Sequence, residues 1–262
     1  MKRILNYPGS KWSLAGYISD IMPEHTTYLE PFFGSGAVFF TKDRSKIETI
    51  NDLDGRLINF FRVCREQPEQ LARMVDLTPV SRQEQQMALE LSPDPLEDAR
   101  RFLTLSWQSI GGIQRSLTGW RSNIITYGSK TINEWVGLPE LIFEVASRLK
   151  ETQIENQDAL QLLERYDNKE VLAYVDPPYL MSTRKCRYYQ TELEDERQPA
   201  LLEILRNFSG KVILSGYDNE LYNRQLSDWW KLEFQSNAEA GQRRVEVIWC
   251  NFEPSGQMSL FG

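Results

Sequence analysis

The chain has 262 residues, of which 41% are hydrophobic, 11% aromatic and 26% charged, and its formal net charge is −7. This composition excludes a disordered or fibrous chain and is typical of a globular protein with a sizeable core. No apolar run approaches the roughly 20 residues of a membrane-spanning helix, and the N-terminus lacks the apolar segment of a secretory signal. With three widely spaced cysteines and one histidine, we expect no disulfide framework, no metal centre, no membrane partner and a cytoplasmic location.

Two stretches of this acidic chain contain no acidic residue. Residues 99–133 and 177–191 instead carry basic side chains, together with aromatic ones. The basic residues are Arg100, Arg101, Arg115, Arg121 and Lys130 in the first stretch, and Arg184, Lys185 and Arg187 in the second. Such stretches are compatible with a localised surface for a polyanion, but solvated helix faces give the same pattern. Charge alone leaves both interpretations open.

The first third of the chain alternates between predicted helices and strands. Apolar residues at helical spacing predict a helix over residues 11–21, with Ser10 as its N-cap. Strands are predicted at 27–30 and 46–50, with helices starting at Ala37 and Leu57.

The pattern becomes mainly helical between about residues 65 and 150, after which strand signals return. Strands are predicted at 152–155, 171–175, 211–215 and 244–249, with a helix at 198–207. Alternating strands and helices predict an α/β fold with a doubly wound, Rossmann-like sheet. We predict that residues 1–64 and 150–256 form one domain, that 65–149 form an inserted, mostly helical domain, and that 257–262 form a tail.

The most informative motif is the tetrapeptide Asp176-Pro177-Pro178-Tyr179, which follows an apolar predicted strand. Ligands bind at the carboxyl ends of strands in open α/β sheets. The prolines remove two N–H donors and leave a rigid corner with free carbonyl oxygens. A carboxylate beside such a carbonyl accepts hydrogen bonds from an exocyclic amine, and the tyrosine ring offers a face on which a base can stack. An acidic turn after a strand is the alternative.

Two further motifs precede it in the chain. Gly34 and Gly36 lie in a strand-to-helix loop, where glycine lets the backbone approach a ligand closely. Asp52 follows the next strand and can accept hydrogen bonds from ribose hydroxyls. Upstream of this loop, Lys11 could form an ion pair with a carboxylate, and the Tyr7 ring could pack against a ligand. The loop lacks the G-x-G-x-x-G pattern and a Walker A lysine, which disfavours NAD and ATP as ligands. Taken singly, each of these motifs is also explained by an ordinary turn.

The order of these motifs resembles that of the Dam-like adenine-N6 DNA methyltransferases of the α-ordered class. In that class the glycine loop precedes the catalytic tetrapeptide. The resemblance extends from Lys2 to about Phe252, and residues 211–222 look like a segment of the phage and prophage members.

The resemblance implies an enzyme that transfers a methyl group from S-adenosyl-L-methionine to N6 of an adenine flipped out of duplex DNA, without a metal. The implied catalytic residues are Asp176, Pro177 and Tyr179. The implied cofactor-binding residues are Tyr7, Lys11, Phe33, Gly34, Ser35, Gly36, Asp52 and Asp176. The expected partner is double-stranded DNA, the expected state is a monomer, and a role with or without a restriction enzyme stays open.

The resemblance also assigns the insert to target recognition. Residues 112–128 look like the family's DNA-binding hairpin, in which an arginine, here Arg115, contacts a guanine edge. The candidate DNA-binding residues are Arg115, Trp120, Arg121, Asn123, Arg184 and Lys185. Gly111 stands where bacterial Dam proteins have asparagine, so the resemblance does not extend to recognition of GATC.

Three alternatives remain open. An N4-cytosine DNA methyltransferase uses the same acceptors on another amine, but more often has serine at position 176. A methyltransferase acting on a protein amide more often has asparagine there and needs no basic insert. A catalytically silent DNA-binding member would keep the fold, but the intact tetrapeptide argues against it.

The last six residues contain no charged side chain and include an apolar Leu260-Phe261 pair. The Gln-x-x-Leu-Phe pattern resembles the short peptide with which bacterial DNA-processing enzymes bind the replication sliding clamp. It predicts clamp binding through Gln257, Leu260 and Phe261. The alternative is that the apolar pair covers the protein's own surface.

Overall fold

The computed structural model describes residues 1–112, 119–122, 130–179, 195–237 and 243–254, with only the backbone described at 130–132, 236, 237, 243 and 244. The strands in these residues are β1 Thr27–Glu30, β2 Ile47–Asn51, β3 Thr152–Glu155, β4 Val171–Val175, β5 Lys211–Tyr217, β6 Trp230–Asn237 and β7 Arg243–Cys250. The helices are α1 Ala15–Asp20, α2 Ala37–Thr41, α3 Gly55–Glu66, α4 Pro68–Asp76, α5 Arg82–Met87, α6 Pro95–Gln108, α7 Lys130–Val136, α8 Leu138–Leu149, α9 Ala159–Arg165, α10 Gln198–Asn207 and α11 Glu220–Gln225. None of these helices is long and apolar enough to cross a membrane.

The strands form one seven-stranded sheet in the order β3-β2-β1-β4-β5-β7-β6. The first five strands of this order run parallel, whereas β7 is antiparallel to both of its neighbours. The chain moves outward from β1 to β2 and β3, and then returns to place β4 on the other side of β1. The order therefore reverses between β1 and β4, and this reversal positions the site described below.

Helices cover both faces of the sheet. In β4, Leu172 and Tyr174 belong to a buried apolar cluster on one face, and Val171, Ala173 and Val175 to a second cluster on the other face. All five residues are buried. An unbroken apolar strand is what a sheet covered on both faces requires, so the predicted doubly wound α/β fold is confirmed.

The helices between β2 and β3 contribute to the first cluster. Leu71 of α4, Phe102 of α6 and Ile142 of α8 belong to the same buried cluster as Tyr28 and Ile50 of the sheet. The predicted helical character of this part of the chain is confirmed within the described residues. Its division into a catalytic domain and a target-recognition domain stays a prediction.

Most predicted strands lie within one or two residues of their observed positions, but two expectations fail. Helix α1 begins at Ala15 with Leu14 at its N-cap, rather than at Lys11 with Ser10 as the cap. Turns occupy the preceding residues, because the Lys11 ammonium is held by the Gly9 carbonyl and by Asp176. Strand β6 was missed, although Trp230, Leu232 and Phe234 alternate with polar residues in the pattern typical of a half-buried edge strand.

Candidate active site

A cavity lies over the carboxyl ends of β1 to β4, where the sheet order reverses. Ligands bind at this position in open α/β sheets. The cavity is open to solvent, and about 880 Å³ of empty space lies within it when counted out to its mouth. The predicted cofactor residues that line it are Tyr7, Lys11, Phe33, Gly34, Ser35, Asp52 and Asp176.

The loop between β1 and α2 owes its shape to two glycines. Gly34 and Gly36 have φ angles of +49° and +66°, a region that favours glycine. A Cβ atom on Gly36 would lie 2.5 Å from Cζ of Phe33, whose ring packs into the core against Phe61. Gly36 does not line the cavity. Its lack of a side chain instead leaves room for the Phe33 ring in the core beneath the loop.

Asp52 connects the loop after β2 to the glycine loop. Its Oδ2 accepts a hydrogen bond from the backbone N–H of Gly34 at 2.9 Å, and its Oδ1 accepts one from that of Asp54 at 3.0 Å. Burial raises the pKa of Asp52 to about 6, although both hydrogen bonds lower it. The side chain is thus an acceptor for ligand hydroxyl groups at neutral pH.

Asp176 is the most extensively bonded group of the site. Its Oδ1 accepts hydrogen bonds from the Tyr179 hydroxyl at 3.1 Å and from Ser215 Oγ at 2.8 Å. Its Oδ2 lies 3.1 Å from Nζ of Lys11. Although burial lowers it, the pKa of Lys11 is raised overall by the carboxylates of Asp176 and Glu246. Lys11 is therefore a buried cation at neutral pH.

The two prolines and Tyr179 form the outer edge of the site. The carbonyl oxygen of Pro177 has no hydrogen-bond donor among the residues that the structure describes, whereas that of Pro178 accepts one from Gln198 Nε2 at 2.9 Å. The Tyr179 ring makes an edge-to-face contact with Tyr217, with the centroids 4.5 Å apart. Pro177 and Tyr179 lie outside the cavity wall, and Asp176 joins the two regions.

The cavity wall also contains four charged residues that were not among the predicted site residues, Glu30, Asp54, Asp158 and Arg197. Burial raises the pKa of Glu30 to about 8, although a hydrogen bond from the Tyr28 hydroxyl lowers it. Asp158 caps α9 and pairs with Arg197 at 2.7 Å. An aspartate three residues after a predicted strand was the available signal for Asp158. Arg197 has no such signal, because it reaches the cavity only through the fold.

Two of the predicted DNA-binding residues lie within the described part of the chain. Trp120 forms a β-bridge with Ser109, and the guanidinium of Arg82 lies 5.2 Å from the centre of its ring. The backbone N–H of Arg121 donates to the Gln108 carbonyl at 2.8 Å. Arg115, Asn123, Arg184 and Lys185 lie outside the described residues, as do Gln257, Leu260 and Phe261 of the tail.

Not all of the acid-free stretch is available to a polyanion. Arg100 is buried and pairs with Glu84 and Glu97, and Arg101 also pairs with Glu97. Glu97 lies one turn earlier on the same helix, just before the stretch begins, whereas Glu84 is brought to Arg100 by the fold. Arg100 and Arg101 are therefore neutralised within the protein, and the count of basic residues overstates the charge offered to a ligand.

The segment that carries Arg115 begins next to the turn that carries Lys11. Gly112 has a φ angle of +65°, and a Cβ atom there would lie 2.3 Å from the carbonyl oxygen of Asn6. Ser106 Oγ donates to the same oxygen at 2.9 Å. The start of the predicted recognition hairpin thus packs directly against the residue preceding Tyr7.

Comparison with known proteins places these features in a family. The sequence profile of the D12 class N6 adenine-specific DNA methyltransferases matches residues 7–240. Type II methyltransferase M1.LlaDCHI of Lactococcus lactis subsp. cremoris is 36% identical over 76 residues, which are 29% of this chain and 26% of that protein. A DNA adenine methylase of Vibrio cholerae is 32% identical over 68 residues, 26% of this chain and 24% of that one. The alignments thus span about a quarter of these relatives' length.

Solved structures of similar shape include the rRNA methyltransferase aviRa from Streptomyces viridochromogenes. It is 12% identical, with a TM-score of 0.42, and the match covers 92% of this chain and 85% of that one. A SAM-dependent methyltransferase from Agrobacterium tumefaciens is 8% identical, with a TM-score of 0.37 and coverage of 91% and 59%. The profile match, which spans most of the chain and both the glycine loop and the tetrapeptide, shows that this protein belongs to the D12 class N6 adenine-specific DNA methyltransferase family.

Proposed function

We propose that the protein transfers a methyl group from S-adenosyl-L-methionine to N6 of an adenine flipped out of double-stranded DNA. The observation that carries this proposal is the position of Asp176. Its carboxylate lies between the cavity and the Pro177–Tyr179 corner, so one residue touches both places where the reactants of a methyl transfer would meet.

The chemistry of the cavity fits this cofactor. S-adenosyl-L-methionine carries ribose hydroxyls, an ammonium, a sulfonium and a carboxylate. The cavity offers the carboxyl groups of Glu30, Asp52 and Asp176, together with the ammonium of Lys11. Asp52 would accept from the ribose hydroxyls, and the backbone of residues 33–36 would approach the ligand closely. When bound, the cofactor supplies an electrophilic methyl group.

The residues of the corner act on the amine of the target base. The lone pair of an adenine amine is delocalised into its ring, which makes the nitrogen a poor nucleophile. Hydrogen bonds from the amine to Asp176 and to the Pro177 carbonyl would localise this pair, while the Tyr179 ring stacks on the flipped base. Positioning and electrostatics then supply most of the acceleration, with no metal among the reacting groups.

The direct test is to incubate the purified protein with tritiated S-adenosyl-L-methionine and duplex DNA, and then to digest the DNA and separate its nucleosides. We expect label in N6-methyladenine. Label in N4-methylcytosine would favour the cytosine-specific alternative, and absence of transfer would favour a catalytically silent DNA-binding member. Expression in a methylation-free host followed by single-molecule sequencing would give the recognition sequence.

Cofactor binding is expected to weaken as the pH falls through about 6, the pKa of Asp52. The protonated carboxyl group is a poorer acceptor for ribose hydroxyls than the carboxylate, so affinity rises with pH through this value. Calorimetric titration with S-adenosyl-L-methionine between pH 5 and pH 7.5 checks this, with Asp52→Asn expected to flatten the curve. Asp228→Asn, at an exposed ion pair, is the control. Identical pH dependence in wild type and Asp52→Asn would refute the assignment.

We propose that residues 65–149 form the target-recognition domain and that Arg115 contacts a base. Arg115→Ala should then relax specificity at one position of the recognition site, at a cost of about 1–3 kcal/mol. Arg184→Ala and Lys185→Ala should weaken binding to all sequences alike and reduce its salt dependence, since phosphate contacts are independent of sequence. Sequencing of modified bases in a methylation-free host measures the outcome. An unchanged motif and rate in Arg115→Ala would show that another residue contacts this base.

We further propose that the protein acts as a cytoplasmic monomer, with Gln257, Leu260 and Phe261 binding the bacterial sliding clamp. The support is the match of this segment to clamp-binding peptides, and tethering would raise the local concentration on newly made DNA. Titration of clamp against the intact protein and a form ending at Gly256 tests it. The truncated form should lose clamp binding but methylate short duplexes normally. Equal affinities, or no binding by either form, would end the clamp proposal.

A further inference from the structure

Glu246 is a half-buried acidic side chain next to the candidate active site that the proposed chemistry does not use. It lies on β7, where it pairs in register with Tyr217 of β5, and its side chain is 14% exposed. Its Oε2 is buried and has no hydrogen-bond donor among the described residues. A buried acceptor without a donor destabilises a fold, and the neighbours of this one offer a functional reason for it.

Among the described residues, the cation that pairs with this oxygen is Lys11, whose Nζ lies 3.8 Å away. The Lys11 ammonium donates to the Gly9 carbonyl at 2.8 Å and lies 3.1 Å from Asp176 Oδ2. An ammonium has three N–H donors, so its bonds to Gly9 and Asp176 leave one unused. Lys11 therefore lies between two carboxylates, bonded to Asp176 and just beyond bonding distance of Glu246.

Three of the roughly four acceptor sites of the Asp176 carboxylate are occupied in this arrangement. Its Oδ1 already accepts from Tyr179 and Ser215, and its Oδ2 faces Lys11. If Asp176 accepts from the amine of the target base, as the proposed function requires, that amine takes the remaining site of Oδ2 and shares this oxygen with Lys11. A cation at this oxygen also withdraws the charge that would localise the lone pair of the amine.

We propose that Glu246 is a positioning residue that shares the Lys11 ammonium with Asp176 and receives it when the amine of the target base binds Asp176. A shift of Nζ by about 1 Å would bring it within charge-assisted hydrogen-bond distance of Glu246 Oε2. The exchange keeps Lys11 paired and frees Oδ2 of Asp176 for the amine. This inference rests on the proposed function.

Four side chains around Lys11 determine how its titration responds. Asp176 faces it from the end of β4, Glu246 from β7 and Tyr217 from β5, and the Tyr179 ring centre lies 4.9 Å from Nζ. Burial lowers the pKa of Lys11, and the two carboxylates raise it to above its ordinary value. Removing the charge of Glu246 therefore lowers this pKa.

The test is the Glu246→Gln variant, which preserves size and removes charge. We expect the single-turnover rate of methyl transfer to fall by about tenfold or more, equivalent to about 1.4 kcal/mol of barrier. Affinities for S-adenosyl-L-methionine and DNA should stay within a factor of about two, because the exchange concerns the reacting complex. The alkaline limb of the rate profile should move to lower pH, because Lys11 loses a carboxylate that holds its pKa up. A purely structural role would not move this limb.

Two further variants make the experiment decisive. Glu233→Gln, at an exposed ion pair on neighbouring β6, should behave as wild type. Glu246→Asp keeps the negative charge but places it one methylene farther from Lys11. This variant should therefore retain the wild-type alkaline limb and show a rate between those of the wild type and Glu246→Gln. It also replaces Glu246→Gln in the test if that variant does not fold, and a wild-type rate in Glu246→Asp would then overturn the proposal.

The outcomes separate this inference from the function on which it rests. No methyl transfer by the wild-type protein would reject the proposed function. Transfer by the wild type, with an unchanged rate and alkaline limb in Glu246→Gln, would reject only the role of Glu246. A lower rate that follows entirely from weaker binding of cofactor or DNA would also reject it.

Discussion

Replacing Asp176 by alanine is expected to abolish methyl transfer while the protein remains folded. The substitution removes the acceptor that joins the cavity to the Pro177–Tyr179 corner. Within the described part of the chain, it leaves Glu246 as the charged partner of the Lys11 ammonium. Removal of a single preorganised group that stabilises a transition state typically lowers the rate by about a hundredfold or more. Single-turnover transfer of tritium to duplex DNA measures the loss.

The control for this variant is Asp218→Ala, which removes an exposed carboxylate that pairs with Lys231 outside the site. It should retain wild-type activity. Thermal unfolding of both variants distinguishes a loss of chemistry from a loss of fold. A folded Asp176→Ala protein with near-wild-type turnover would remove Asp176 from the catalytic assignment and, with it, the main support for the proposed mechanism.

Glu48→Gln should lower the free energy of unfolding by about 3–5 kcal/mol, the range for breaking a buried ion pair. The Glu48 carboxylate accepts hydrogen bonds from Lys42 Nζ at 2.5 Å, from the backbone of Ser45 at 3.1 Å and from both terminal nitrogens of Arg148. Because Arg148 belongs to α8 and Glu48 to β2, this cluster connects the helical part of the chain to the sheet. Urea denaturation at pH 7 measures the change.

The pH dependence of stability provides a second check on Glu48. Burial alone would raise the pKa of this carboxyl group, but hydrogen bonds from Arg148 and Lys42 lower it below its ordinary value of 4.5. A lowered folded-state pKa stabilises the fold above the unfolded-state pKa, and this contribution disappears as the pH falls through the folded-state value. The difference between wild type and Glu48→Gln should therefore shrink in acid.

The matched control is Glu151→Gln, which removes a carboxylate that is 85% exposed and 3.8 Å from Arg44. Exposed pairs of this kind contribute about 0–1 kcal/mol, so the control should be near wild type. Equal stability of the two variants would mean that the buried cluster makes no net contribution beyond that of a surface pair.

The core of the candidate site could be predicted because its chemistry lies in short segments. An apolar strand followed at once by Asp176, two prolines and Tyr179 places the carboxylate at a strand end in any open α/β sheet. Gly34 and Asp52 likewise follow β1 and β2, and the hydrogen bond between them confirms that the two loops meet. Because parallel strands end at the same edge of the sheet, these loops come together, and the local sequence pattern was sufficient to predict this part of the site.

The N-terminal turn shows how tertiary contacts override a local preference. Ser10 is a favourable N-cap residue by type, yet α1 begins only at Ala15. The ion pair of Lys11 with Asp176, more than 160 positions along the chain, holds the preceding residues in turns. Similarly, Arg100 adds to the positive charge of its stretch in the sequence, but Glu84 and Glu97 neutralise it in the fold.

The sequence by itself determined the class of the fold, the order of the motifs and seven of the residues that line the cavity, because each depends on neighbouring residues and on strand ends that meet at one edge. Only the tertiary structure decided which distant side chains join them. Arg197 reaches the cavity through its pair with Asp158. Glu246 reaches Lys11 because β7 runs antiparallel beside β5. Such contacts depend on strand order and direction, which no short segment encodes.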